Sequence, residues 1–106
     1  MRAESLMRLI RLITHTDPRL REKGADEATD WLSAYSAEEA ATLATILSIA
    51  AARESDLEAL ESELHAVLEL ETTGHVGSAH LGYLAEIDRS TLPIPLRPYI
   101  TDILGG

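Results

Sequence analysis

The 106-residue chain contains no cysteine and no phenylalanine, one tryptophan and three tyrosines. Without cysteine there are no disulfides, thiolate metal sites or cysteine nucleophiles, and no redox argument for an exported protein. A core without phenylalanine must be built from Leu, Ile and Ala, a composition that favours helices. Strand alternation is absent throughout, and no stretch approaches the roughly 18 apolar residues that a membrane span needs. The most signal-like segment, MRAESLMRLIRLI, is interrupted by Arg8 and Arg11, and no small-residue cleavage site follows it. It is expected to be the first helix of a soluble, cytoplasmic protein. A length of 106 residues is that of one domain, taken to span residues 1–106.

The formal net charge is −9, and it is unevenly spread. Residues 1–23 carry six bases against three acids, whereas residues 24–88 carry fourteen acids against Arg53 alone. A field of that sign repels nucleic acid and anionic membrane and speeds encounter with a basic partner.

Apolar spacing and capping residues divide the chain into helices. Leu6, Leu9, Ile10 and Ile13 fall at i, i+3, i+4 and i+7, which predicts a helix over about 4–15. Asp17 can cap a second helix with Pro18 at its first position, where no amide donor is needed. Its apolar stripe is Leu20, Gly24, Ala28, Trp31 and Leu32, and Glu22, Asp26 and Asp30 lie opposite. Ser36 with Glu39 forms a capping box that opens a third helix, burying Ala40, Leu43, Ile46, Leu47 and Ala50. Ser55 with Glu58 offers another, opening a fourth that buries Leu57, Leu60, Leu64, Val67 and Leu68 and ends near Thr72 with Gly74 as terminator. HVGSAHLGYLAEID predicts a weaker fifth helix, diluted by Gly77 and Gly82. Pro93, Pro95 and Pro98 restrict the sixth to about 95–104.

A shift of 36 superposes Gly24, Ala28, Trp31 and Leu32 on Leu60, Leu64, Val67 and Leu68, a period expected of stacked helical hairpins. An aliphatic helix followed by Asp17-Pro18-Arg19-Leu20-Arg21, then Ala25, Ala28 and Trp31, resembles a HEAT repeat over about residues 5–33. The second hairpin (about 37–71) keeps only the apolar spacing, and the third (about 75–104) keeps less. The resemblance implies an all-α fold: a short right-handed α-solenoid of about three HEAT-like hairpins, six helices in all. It also implies that Arg21 bonds to neighbouring turns and that the alanines permit close helix packing.

No catalytic constellation emerges. The four histidines form no ligand pattern, and no serine sits in a nucleophile-elbow context. Glu61 and His65 share a helix face and could supply half of a metal site, but a solvated histidine between Glu61 and Glu69 is the reading preferred. TTGHVGSAHLG lacks both the spacing and the lysine of a phosphate-binding loop. The expectation is therefore no catalytic residue, no cofactor and no metal.

The charged ridges are more informative. On a helical wheel Glu54, Glu58, Glu61, His65 and Glu69 fall on one side, opposite the leucines. Glu22, Asp26 and Asp30 do the same on the second helix. If hairpins stack, the two ridges become neighbours and form an acidic wall. Such faces also serve solubility alone, yet the lack of interleaved bases favours a binding role. Small, acidic, helical, cysteine-free chains resemble bacterial immunity proteins, and the segment from Glu69 to Leu104 is similar to small HEAT-like proteins of toxin loci. That resemblance implies a non-enzymatic module, monomeric when free, that blocks a basic toxin, a nuclease above all, through this wall. Tyr35, Tyr83 and Tyr99 are candidate anchors. The alternative is a HEAT-like scaffold or adaptor for a basic peptide or subunit. Neither nucleic acid nor membrane is expected as a partner.

Overall fold

The computed structural model describes residues 1–105 and is all-helical over them. Its α-helices are α1 (Ala3–Ile13), α2 (Pro18–Asp30), α3 (Ala37–Arg53), α4 (Leu57–Glu71) and α5 (Arg97–Leu104). Short 3-10 turns complete the chain, four of them between α4 and α5.

The starts follow the capping chemistry closely. Asp17 accepts the Arg19 amide with Pro18 just inside α2, and Ser36 and Glu39 exchange both hydrogen bonds of a capping box at the head of α3. At α4 the cap is Asp56, not Ser55: its carboxylate accepts the Ala59 amide at 2.9 Å. A carboxylate at this position also meets the positive end of the helix dipole, which a serine hydroxyl does less well. Beyond α4 the chain reverses through Gly74, whose φ of 80° lies in the left-handed region.

Packing builds two layers, in keeping with a shortest dimension of 18 Å. α1 and α2 form one antiparallel hairpin and α3 and α4 another; α2 lies along α4 and α1 touches α3. The segment after α4 continues both layers, with the 3-10 turns at Ser78–His80 and Gly82–Glu86 on α3 and with α5 on α4. The core runs through all of these elements. Ile13, Leu43, Leu47, Leu64, Leu70, Leu84 and Ile100 are among its largest fully buried side chains.

Several expectations change. The fifth α-helix is replaced by 3-10 turns, so the described residues hold five α-helices and not six. Gly77 and Gly82 weaken helix propagation there, while Leu81 and Leu84 still reach the core. Trp31 is 53% exposed because α2 ends at Asp30 and the Trp31 backbone leaves the helical path. Leu57 occupies the first position of α4 and is likewise mostly exposed. On α3 the fully buried positions are Ala40, Leu43, Ala44, Leu47, Ser48 and Ala51, which leaves Ile46 and Ala50 half-buried.

Gly24 sets the crossing of α1 and α2. A Cβ placed there would come within 2.7 Å of Leu12 Cβ and 2.8 Å of the Ile13 backbone nitrogen. Because the second contact is to backbone, the helices would have to separate. Gly24→Ala should therefore destabilise the fold by about 1–3 kcal/mol despite alanine's better helix propensity. Urea unfolding checks this, with Gly82→Ala as the control: a Cβ there meets nothing within 4 Å, and the variant should match or exceed wild type.

Candidate functional site

The acidic ridges of α2 and α4 do lie side by side, but their members differ in environment. Glu22 and Glu58 are bound together by Arg19, which also reaches Asp56, so one guanidinium joins the start of α2 to the start of α4. These contacts are solvent-exposed and individually weak. They neutralise the end of the ridge next to the interhelical turns. The bases absent from i+4 positions on each helix are thus partly supplied across the helix interface.

Further along, Asp26 of α2 faces Glu61, Ser62 and His65 of α4 and Tyr99 of α5 around a depression of about 310 Å³. The His65 and Tyr99 rings meet edge to face, 6.3 Å between centroids and 83° between planes. His65 Nε2 is 3.9 Å from Glu69 Oε1, one turn on. Burial, followed by the nearby Glu61 charge, raises the Tyr99 phenol above its ordinary range. Asp26, Asp30 and Glu61 are exposed and form no ion pair among the described residues. The unneutralised acidity of this face therefore gathers at Asp26, Asp30 and Glu61, with a histidine and a tyrosine beside it.

Glu54 does not belong to this face. It precedes α4 and its side chain is 1% exposed. The Arg21 guanidinium grips it in a two-pronged pair, Nε to Oε1 at 2.6 Å and Nη2 to Oε2 at 2.8 Å. Arg21 Nη1 donates to the carbonyls of His15 and Thr16, both at 2.9 Å, which ties the α1–α2 turn to the α3–α4 turn. The arginine thus makes the contacts with neighbouring turns that were expected of it. Helical-wheel placement failed for Glu54 because a wheel assumes continuous helix through Ser55 and Asp56, where the chain turns.

Beside this pair lies a residue that the sequence analysis missed. Glu63 is fully buried in α4, and neither of its carboxyl oxygens has a hydrogen-bond partner among the described residues. A second charge enclosed near the Glu54 carboxylate, with no donor to meet it, is disfavoured, so Glu63 is the protonated member of the two. Burial chiefly, then the nearby Glu54 carboxylate, push the Glu63 carboxyl up to about 9. For Glu54 burial acts in the same upward sense, but the Arg21 hydrogen bonds, the Asp56 amide and the Arg21 charge outweigh it and hold the group at about 2. A signal for Glu63 was available: it stands three residues after Leu60 and four before Val67, within the buried arc of α4.

Tyr35, one of the candidate anchors, is buried, and its hydroxyl donates to the Ala28 carbonyl at 2.6 Å. Burial, with Asp30 and Glu39 nearby, pushes that phenol up to about 12. Tyr83 is exposed, and Tyr99 is half-buried at the acidic depression. Among the described residues no three His, Asp or Glu side chains converge as metal ligands, and no helix is long and apolar enough to cross a membrane. No family model matches the sequence, and neither the curated proteins nor the solved structures contain a significant match.

The buried carboxyl pair makes two predictions. Removing the guanidinium with Arg21→Met leaves Glu54 uncompensated in the interior and should cost about 3–5 kcal/mol in urea unfolding, whereas Arg21→Lys should recover only part of that because it cannot reproduce the fork. The second concerns pH. Glu63 has a raised folded-state pKa, so its contribution is complete below about 4.5 and falls as pH rises toward about 9, by at most ~1.4 kcal/mol per pH unit. Glu54 acts oppositely: its contribution is present above about 4.5 and is lost as pH falls toward about 2. Glu63→Gln keeps the shape of the neutral acid but cannot titrate. The stability difference between pH 5 and pH 8 should therefore be smaller in this variant than in wild type, and an equal difference would place the pH dependence elsewhere.

Proposed function

We propose that this chain is a non-enzymatic protein-binding module, a short right-handed solenoid of HEAT-like hairpins whose α2–α4 face docks a basic partner. In this reading it is a bacterial immunity protein acting in the cytoplasm. Its partner is a cognate toxin, a nuclease by preference, and it neutralises the toxin by covering the cleft or an adjacent surface. The observation that carries the proposal is the set of exposed, unpaired carboxylates of Asp26, Asp30 and Glu61 on two packed helices. Like charge gathered on one surface opposes itself in the free protein and becomes favourable when a partner brings the opposite sign. A nuclease cleft, built to hold phosphate, presents such a field.

The continuation of both layers by the segment after α4 supports the solenoid reading, with 3-10 turns standing in for one helix of the third hairpin. Of the residues expected at the interface, Asp26, Asp30, Glu61, His65 and Glu69 form its working part. Glu22 and Glu58 sit at its edge, neutralised by Arg19, and Glu54 belongs to the interior. Tyr99 is the aromatic best placed to contribute contact area.

The reading is tested by co-expression with the toxic C-terminal domain of a secreted protein encoded beside this gene. Cells should survive only with the protein present. Survival should be lost with Asp26→Lys combined with Glu61→Lys and kept with Glu86→Lys, a reversal in an exposed 3-10 turn away from α2 and α4. Association of the purified pair should slow steeply between low and moderate salt. Undiminished protection by the double reversal would remove the acidic face from the mechanism. The absence of any toxin neighbour would favour the scaffold or adaptor reading.

A further inference from the structure

A second concavity, of about 500 Å³, lies between the C-terminal end of α1 and the C-terminal half of α3. It is formed by the first helices of the two hairpins, whereas the acidic depression lies on α2, α4 and α5. Its apolar lining is Ile13, Ile46, Ile49 and Ala50, of which only Ile13 is fully buried. Three isoleucines in a groove of this volume match the small-molecule pockets of other proteins, which are apolar with a few placed polar groups.

The polar lining narrows what such a molecule can be. The Thr14 hydroxyl is already bonded to the Ile10 carbonyl at 2.7 Å, and Arg21 and Glu54 satisfy each other. Arg53 is exposed and has no ion pair or side-chain hydrogen bond among the described residues. It is also the only base between residues 24 and 88. The groove therefore offers one free guanidinium beside a hydrocarbon wall. A cation finds no free acceptor there, and a polyanion would need more than one cation.

We propose that this groove binds an amphipathic monocarboxylate, its aliphatic chain along Ile46 and Ile49 and its carboxylate on the Arg53 guanidinium. Arginine suits this role because its planar fork can meet both carboxylate oxygens. The site is independent of the α2–α4 face, so neither proposal stands or falls with the other.

The test is calorimetric titration of the full chain with hexanoate, octanoate and decanoate below their micelle-forming concentrations, and with 1-octanol. Affinity should rise about fourfold per methylene until the groove is filled. Octanoate should bind about tenfold more tightly than 1-octanol, a preference that Arg53→Gln abolishes. Ile49→Glu, at a half-exposed position, should eliminate binding of all four probes while leaving the circular dichroism spectrum unchanged. Equal affinity for octanoate and 1-octanol, no dependence on chain length, octanoate binding untouched by Arg53→Gln, or no binding of decanoate would each overturn the proposal. In a variant with Asp26→Lys and Glu61→Lys, octanoate binding should persist.

Discussion

One guanidinium holds the two hairpins in register. Arg21 reaches from α2 to the carbonyls of the α1–α2 turn and to the Glu54 carboxylate in the α3–α4 turn, and Glu54 is closed off from water. A carboxylate in that position is tolerable only if its charge and lone pairs are met at once. They are: Arg21 supplies the opposite charge and two donors, and the Asp56 amide a third at 3.1 Å. The same bonds extend outward. Asp56, held by its amide to Glu54, caps α4 through the Ala59 amide and accepts Arg19, which in turn gathers Glu22 and Glu58. The alignment of the two acidic ridges at the surface is thus set from an interior ion pair by a continuous run of hydrogen bonds.

What could be read from the sequence was whatever local chemistry decides. The caps at Asp17 and Ser36 and the stripe Leu9–Ile13 depend on residues within one or two helical turns, and these elements fall where spacing placed them. Ser55 and Asp56 can both act as a cap, and the tertiary setting of Asp56, between Glu54 and Arg19, joins its charge at the helix dipole in favouring it. The segment from Gly77 to Thr91 illustrates the opposite limit. Its leucines carried enough apolar spacing to suggest a helix, but its glycines leave the backbone in short 3-10 turns, and burial of Leu81 and Leu84 is achieved without an α-helix.

The candidate site was legible in part, for the same reason. Asp26, Glu61 and His65 were expected to be neighbours, and α2 lying along α4 brings them around one depression. The wheel could not distinguish the exposed Glu61 from the enclosed Glu54, nor foresee that Arg19 would neutralise Glu22 and Glu58. Glu63 was overlooked because a glutamate among leucines reads as a lapse in the pattern. The buried arc of the helix passes through it, and the charges that act on it, Glu54 and Arg21, lie 9 and 42 positions earlier in the chain.

The basic N-terminal segment acquires a different meaning in this light. Taken alone, six bases in the first 23 residues suggest a patch for an anionic polymer. In the folded chain Arg8 is paired with Glu27, Arg19 with three carboxylates, and Arg21 with Glu54. Half of those bases are therefore engaged within the chain, with acids of α2, of the α3–α4 turn and of the start of α4. Neutralisation falls on the hairpin turns and on the α1–α2 interface, where charge would otherwise push the helices apart. It stops short of Asp26, Asp30 and Glu61, so the polarity of the sequence, basic first and acidic after, becomes in three dimensions a neutral seam bordered by an unneutralised face.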